Sequence, residues 1–519
     1  MSEQFEMIAK TFQGLEEILA EELTTLGAND IQIGRRMVSF TGDKRMMYKA
    51  NFCLRTAIRI LKPIKNFTAK DADEVYNQIQ AIPWEEYLDV NKTFAIDAVV
   101  FSEEFRHSKF VSYKVKDAIV DYFREKTGKR PSVRINNPDV LLNIHIAQTT
   151  CTLSLDSSGE SLHRRGYRQE QVEAPLNEVL AAGMVLMTGW RGECDLIDPM
   201  CGSGTIPIEA ALIARNIAPG VFRKGFAFEK WVDFDSEMFD EIYNDDSQER
   251  EFTHKIYGYD NSPKANEIAT HNIKAAGVSK DVTLKLQPFQ QFEQPQEKSI
   301  IVMNPPYGER ISTNDLLGLY QMIGERLKHA FVGNEAWVLS YREECFDQIG
   351  LKPSKKVPLF NGALECEFRK YEIFDGKYKE FKSQEGEGEE KKDQIKRTSS
   401  ENAADKASVS SRDGKGTSAA ISGGVKKGEF KKGEFRKKDF YRPVKIGDDP
   451  NLIYGRNFED EPISLEQVIT EMGEITVHGK IISFDTREIR NEKTILMFAV
   501  TDFTDTITVT VSYTHLTLP

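Results

Sequence analysis

Apolar residues recur along this chain at two spacings, and the dominant spacing changes with position. Leu15, Ile18, Leu19 and Leu23 share one face of a 3.6-residue repeat, which predicts a helix over Leu15–Leu26 with Gly27 as its stop. A second amphipathic helix is predicted over Tyr113–Lys126, ended by Gly128. Leu142, Ile144 and Ile146, then Cys151, Leu153 and Leu155, alternate at every second residue and predict two adjacent strands. The first third of the chain is therefore α+β in character.

The next part alternates. Strands are predicted at Asp195–Ile197, Lys255–Tyr259, Val282–Leu286, Ser299–Met303 and Ala336–Tyr341, and a helical run at Ile206–Asn216 follows the first. That rhythm implies right-handed crossovers and a parallel sheet. Lys356–Phe360 and Ala363–Tyr371 flank Asn361-Gly362, a pair that suits the positive φ angles of a tight hairpin turn. A parallel sheet closed by a terminal hairpin outlines an α/β fold of class I, the Rossmann-like seven-stranded methyltransferase type. An ordinary dinucleotide-binding domain lacks the hairpin.

The character changes after Phe374. Residues 384–390 are acidic, and residues 399–424 contain no Leu, Phe, Met, Tyr or Trp, too little apolar surface to offset chain entropy. Residues 391–445 hold 16 Lys/Arg against 7 Asp/Glu, including the repeated Lys426-Lys-Gly-Glu-Phe430 and Lys431-Lys-Gly-Glu-Phe435. A solvated linker at 377–450 is expected, with a nucleic-acid-binding arm as the functional alternative. Strand-like runs at Ile475–Phe484, Thr494–Val500 and Thr506–Val511 suggest an incomplete OB-like segment over 451–511, three strands where the barrel needs five.

With 519 residues the chain has room for about three domains at roughly 150 residues each. Its net charge of -12 excludes a generic polyanion binder, so any nucleic-acid surface must be local. Six scattered cysteines form no Cys-x-x-Cys pair and no zinc spacing; reduced thiols, no metal and a cytoplasmic location are expected. The N-terminal residues lack a signal-peptide pattern, and the longest apolar run, Val179–Trp190, is too short to span a bilayer, so no membrane partner is expected.

Two motifs carry the chemistry. Asp198-Pro-Met-Cys-Gly-Ser-Gly-Thr205 is a glycine-rich turn between an apolar strand and a helix. Gly202 and Gly204 let the backbone approach a nucleoside cofactor, and the helix start offers amide donors to its carboxylate. Asp198 is expected to orient the loop and meet an amino group, with Pro199, Cys201 and Thr205 beside it. Asp260, with Asn261 after it, closes the next strand and is placed to accept both ribose hydroxyls. S-adenosylmethionine is the expected cofactor. Asn304-Pro305-Pro306-Tyr307 ends a further strand and suits an exocyclic amine. The Asn304 amide oxygen and the Pro305 carbonyl would accept its two N–H bonds, and Tyr307 would stack on the base.

Together with Ser161-Leu-His-Arg-Arg-Gly-Tyr-Arg168 and Ala174-Pro-Leu-Asn-Glu178, these motifs resemble the THUMP-containing guanine-N2 methyltransferases of bacterial large-subunit ribosomal RNA. The resemblance spans about residues 1–376. It implies a ferredoxin-like lobe at 1–60, a THUMP RNA-binding domain at 61–160 and a catalytic domain at 161–376, acting as a monomer on ribosomal RNA. It places the adenine contact at Gln287, where the family usually carries an acidic residue, and Arg164, Arg165 and Arg168 at the domain junction, gripping RNA or tying the domains together. A transfer-RNA guanine-N2 or DNA adenine-N6 methylase fits the same amine motif. A replication-associated nucleic-acid-binding protein is the non-enzymatic alternative, resting on the basic arm and the OB-like segment. Leu452-Ile-Tyr-Gly-Arg-Asn-Phe-Glu-Asp-Glu-Pro-Ile463 resembles the N-terminal region of PolC-type DNA polymerase III, and residues 512–519 look like translated sequencing-adaptor sequence. A fused fragment with no function of its own is the expectation there.

Overall fold

A computed structural model describes residues 3–105, 107–172, 175–293, 298–306, 313–362 and 364–374, then 477, 479–489, 493–501 and 506–513. Its contacts divide the chain into residues 1–408 and 409–519.

The first unit opens with β1 (Phe5–Lys10), α1 (Glu16–Leu26), β2 (Asn29–Gly34), β3 (Met37–Gly42), α2 (Lys44–Cys53) and β4 (Arg59–Thr68). It continues through α3 (Ala72–Gln80), β5 (Thr93–Phe101), α4 (Ser108–Thr127), β6 (Ser132–Val133), β7 (Val140–Ala147) and β8 (Thr150–Asp156). All eight strands form one sheet, ordered β2-β3-β1-β4-β8-β7-β5-β6. Strand β4 joins its halves, pairing antiparallel with β1 through Arg59–Leu61 and with β8 from Leu61 to Thr68. The expected domain boundary at residues 60/61 thus falls inside a shared strand. Helix α4 starts five residues before its expected first residue, because Val111 joins Val115, Ile119 and Phe123 on the buried face.

The catalytic part follows, beginning with α5 (Glu178–Met187), β9 (Asp195–Asp198), α6 (Thr205–Ala214), α7 (Ser236–Tyr243), β10 (Ile256–Asp260) and α8 (Pro263–Ala275). Then come β11 (Val282–Leu286), β12 (Ser299–Met303), α9 (Thr313–Ala330), β13 (Glu335–Ser340), α10 (Glu343–Ile349), β14 (Lys355–Asn361) and β15 (Leu364–Glu372). The sheet order is β11-β10-β9-β12-β13-β15-β14. Strands β9 to β13 run parallel and the hairpin β14–β15 closes the edge antiparallel, as the alternation and Asn361-Gly362 predict. One apolar cluster holds α5 and α6 against one face, and another holds α9 and α10 against the other. Helix α5 is buried almost all round, which explains its unbroken apolar run. Leu15 packs so tightly on it that a Cβ at Gly183 would lie 2.5 Å from the Leu15 Cδ2.

Residues between α6 and β10 form an insert that leaves the catalytic core. Its Phe226, Phe228, Trp231, Phe239 and Ile242 join the core of the N-terminal sheet. Tyr48 of α2 stacks on Phe228 at 4.3 Å between ring centroids and accepts the Asp235 N–H at 3.0 Å.

In the second unit, β16 (Lys480–Ile489), β17 (Lys493–Thr501) and β18 (Thr506–Tyr513) form an antiparallel meander. Strand β16 lies later than the run expected from Ile475, and Ser512 and Tyr513 of the expected tail belong to β18. The expected linker at 377–450, the Leu452–Ile463 motif and residues 514–519 lie outside the described residues. Among the described residues no helix is long and apolar enough to cross a membrane.

Candidate active site

Strand β9 lies between β10 and β12. The helix after β9 packs on one face of the sheet and the helix after β12 on the other. Neighbouring loops therefore diverge at the carboxyl ends of β9 and β12 and open a crevice there. Asp198 ends β9 and Asn304 follows β12, so the two motifs read in the sequence meet at this crevice.

Gly204 starts α6 with φ at +81°, and a Cβ there would lie 3.2 Å from the Ala269 Cβ on α8. Both the angle and the close approach demand glycine. Gly202 also has positive φ, and its N–H donates to Asp260 Oδ2 at 3.0 Å. Ser262 N–H donates to Asp260 Oδ1 at 2.8 Å. Each carboxylate oxygen is thus anchored by one amide and keeps acceptor capacity for a further donor. Asn261 is exposed beside it. Gln287 donates its backbone N–H to the Asp260 carbonyl at 2.9 Å and its side-chain amide to the Gln291 carbonyl at 2.6 Å.

Asp198 is fully buried, and its one hydrogen bond among the described residues comes from the Met200 N–H at 3.2 Å. Burial pushes its carboxyl well above the usual range; the Met200 amide opposes this and the Asp260 charge adds to it. No cation among the described residues pairs with it. Pro199 is buried beside it. Cys201 gives its N–H to the Tyr259 carbonyl at 2.8 Å, and burial pushes its thiol well up, so it stays protonated and is no nucleophile.

Across the crevice, Asn304 Oδ1 is buried without a hydrogen-bond partner among the described groups. An orphan acceptor costs about 1–3 kcal/mol, and such a cost persists where a ligand is meant to supply the donor. Pro305 is buried and Pro306 exposed; Tyr307 lies outside the described residues. An anchored Asp260 at the end of β10, an unpaired buried carboxylate at the end of the central β9 and an orphan amide oxygen after β12 fit S-adenosylmethionine. Asp198 would hold its ammonium group and Asp260 its ribose.

The three arginines separate. Arg165 is 2% exposed and donates to the carbonyls of Leu162 and Arg55, while lying 3.5 Å from Glu209 of α6, which also accepts Tyr167 Oη at 2.8 Å. Arg168 donates to Glu178 at 2.7 Å, to Ser203 and Thr205 at 3.1 and 3.0 Å, and to the Leu176 carbonyl at 3.0 Å. Both guanidiniums bond inside the protein, to the N-terminal lobe and the cofactor loop, an arrangement that favours the domain-tying alternative over the RNA grip. Arg164 alone stays exposed.

Asn272 of α8 escapes the motif search. Its Oδ1 accepts the N–H groups of Gln169 and Glu170 at 2.8 and 3.3 Å, and its Nδ2 donates to the carbonyls of Glu170 and Ser203 at 3.0 and 3.1 Å. It clips the interdomain segment onto the glycine loop. The signal lay in the sequence: an asparagine between Ile268, Ala269 and Ile273 on the buried face of α8.

Family models match along the described first unit: an RlmL ferredoxin-like domain at 6–61, a THUMP domain at 69–156 and an RMKL-like methyltransferase domain at 165–370. A Synechocystis sp. protein, slr0064, whose name proposes an RNA methyltransferase, is 38% identical over 70% of this chain and 96% of its own length. The chain belongs to the RMKL-like methyltransferases. Another member, the ribosomal RNA large subunit methyltransferase K/L of Syntrophotalea carbinolica, is 39% identical over 73% of this chain and 55% of its own length. The chain thus spans about half the length of the K/L relatives it matches. Among solved structures, SMU.472, a candidate methyltransferase complexed with SAH, shares 28% identity and a TM-score of 0.65, covering 73% of this chain and all of that one. S-adenosylmethionine is the methyl donor of this RMKL-like domain.

Proposed function

We propose that this protein methylates the exocyclic N2 amine of a guanine in large-subunit ribosomal RNA. The observation that carries the reading is the buried Asn304 Oδ1 at the carboxyl end of β12, unpartnered among the described groups. A guanine amine is a poor nucleophile because its lone pair is delocalised into the ring. Asn304 Oδ1 and the Pro305 carbonyl accept its two N–H bonds, turn the nitrogen toward tetrahedral geometry and aim its lone pair into the crevice. Fixed acceptors that meet developing positive charge lower the barrier by about 3 kcal/mol each, by analogy with oxyanion donors. S-adenosylmethionine supplies the electrophilic methyl group. Transfer of that methyl to the nitrogen would leave a neutral thioether, and the amine proton would pass to solvent water. Asp198, Asp260 and the Gly202–Gly204 loop fix the donor's position, which supplies much of the remaining rate.

The names of the K/L relatives and the THUMP match at 69–156 support an RNA substrate, and an amine within structured RNA needs a separate lobe to hold the strand while the base is extruded. Mass mapping of 23S ribosomal RNA from a strain lacking the gene tests the proposal. One N2-methylguanine should disappear and return on complementation with the wild-type gene but not with Asn304→Ala. Intact ribosomal modification, with loss instead in transfer RNA or of adenine-N6 in DNA, would move the substrate to that molecule.

A further inference from the structure

A cavity of about 540 Å³ opens between residues drawn from 160–171 and 175–178 and the insert at Phe222–Gly225. Five cations, Arg164, Arg165, Arg168, Arg223 and Lys224, line it against two carboxylates, Glu160 and Glu178. The cations have different duties. Arg165 and Arg168 serve the internal ties described above. Arg223 is a brace: it donates to the carbonyls of Glu160, Ser161 and Arg164 at 2.7 to 3.0 Å and lies over the Phe226 ring. Its Nε is buried without a partner among the described groups. Burial lowers its pKa to about 10, so it remains charged at neutral pH. The Arg164 side chain is 67% exposed, and its guanidinium pairs only with Glu160 among the described residues. Lys224 is exposed at the rim and makes no ion pair or hydrogen bond among them.

A braced wall with two exposed cations at its mouth, Lys224 unpaired among the described residues and Arg164 held only by an exposed Glu160, has the chemistry of an anion site. Its place in the fold narrows the anion. Arg168 runs from this cavity to Ser203 and Thr205, so the cavity wall continues into the loop that holds the cofactor. An enzyme that extrudes a base must hold the strand beside it, and phosphate contacts set the register of that strand. We propose that the cavity holds a backbone phosphodiester of the RNA strand next to the target nucleotide, gripped by Arg164 and Lys224 on a wall braced by Arg223. The site rests on the ribosomal RNA reading above and adds its strand-positioning element.

The test measures binding of the full chain to transcribed 23S ribosomal RNA across a series of salt concentrations, for wild type, Arg164→Gln, Lys224→Gln and a distant control, Lys280→Gln. Each cavity variant should bind about 3- to 10-fold more weakly at low salt and lose roughly 0.7–0.9 from the slope of log affinity against log salt, one phosphate contact's worth. The control should match wild type, and cofactor affinity should be unchanged in all four. Wild-type slopes and affinities in both cavity variants would overturn the phosphate site while leaving the ribosomal reading intact. Failure of the wild-type chain itself to bind the transcript would sink both.

Discussion

Asp260 and Gly202, 58 positions apart in sequence, are joined by a hydrogen bond of 3.0 Å from the glycine amide to the carboxylate. One side chain therefore both shapes the glycine loop and presents its remaining acceptor capacity at the crevice. Asp260→Ala should lower S-adenosylmethionine affinity by at least about tenfold, since hydrogen bonds to a charged acceptor are worth about 1.5–3 kcal/mol. Isothermal titration checks this. An unchanged dissociation constant in a folded variant would place the ribose elsewhere.

The role proposed for Asp198 predicts that cofactor binding is coupled to pH and that its ionised form opposes stability. Its carboxyl is raised by burial, so the fold favours the protonated form: that stabilisation is complete below the unfolded carboxyl range and is lost as pH rises through the folded value. Binding of an ammonium group needs the ionised form. Affinity should therefore weaken by about tenfold per pH unit below the folded pKa, with uptake of cofactor releasing one proton. Titrations in buffers of different ionisation enthalpy count that proton. Asp198→Asn should melt higher than wild type at pH 8 without ligand, yet bind the cofactor at least about tenfold more weakly. A lower melting temperature would contradict the assignment.

Asn304→Ala should abolish turnover, by about 100-fold or more, while cofactor affinity stays within a few-fold. Because Oδ1 has no partner among the described groups, the variant should be as stable as wild type or more so. Equal losses of binding and turnover would make Asn304 a structural residue.

Arg165→Met should destabilise the first unit by about 3–5 kcal/mol, the usual cost of leaving half of a buried ion pair. Glu209, whose carboxyl burial already raises, would be the stranded partner, so adding Glu209→Gln should recover part of the loss. Urea unfolding of both variants measures it. A single variant that unfolds at the wild-type urea concentration, with RNA affinity reduced, would restore Arg165 to the RNA surface.

The catalytic sheet was legible because each parallel strand is a short apolar run and Asn361-Gly362 has one comfortable conformation. Within two residues, β9 to β15 lie where the pattern puts them. The N-terminal lobe was less so: β4 alternates poorly, since Lys62, Lys65 and Asn66 interrupt it while its ladder to β8 supplies the order. Asp198, Gly202, Gly204 and Asp260 could be placed at the crevice from the sequence because two strand ends and the glycine turn fix their backbone positions. Arg165 and Arg168 were ambiguous, since a guanidinium between two domains serves either domain or RNA until its burial is known. Asn272 was missed because its partners are backbone groups far upstream: Glu170 and Ser203 lie 102 and 69 positions before it, and no motif spans such distances.

The insert between α6 and β10 has a consequence for how this enzyme can be divided. Phe226, Phe228, Trp231 and Phe239 are contributed by the methyl-transferring portion but kept dry by the other one. Cut at residue 165, the catalytic fragment would carry an aromatic patch facing water, and its former partner would lose the lining of its own interior. The two are not interchangeable cassettes. Swapping the N-terminal lobe for a relative's would require trading the insert along with it, so inheritance at this junction acts on two stretches of chain, 187 positions apart at Tyr48 and Asp235, that must change together.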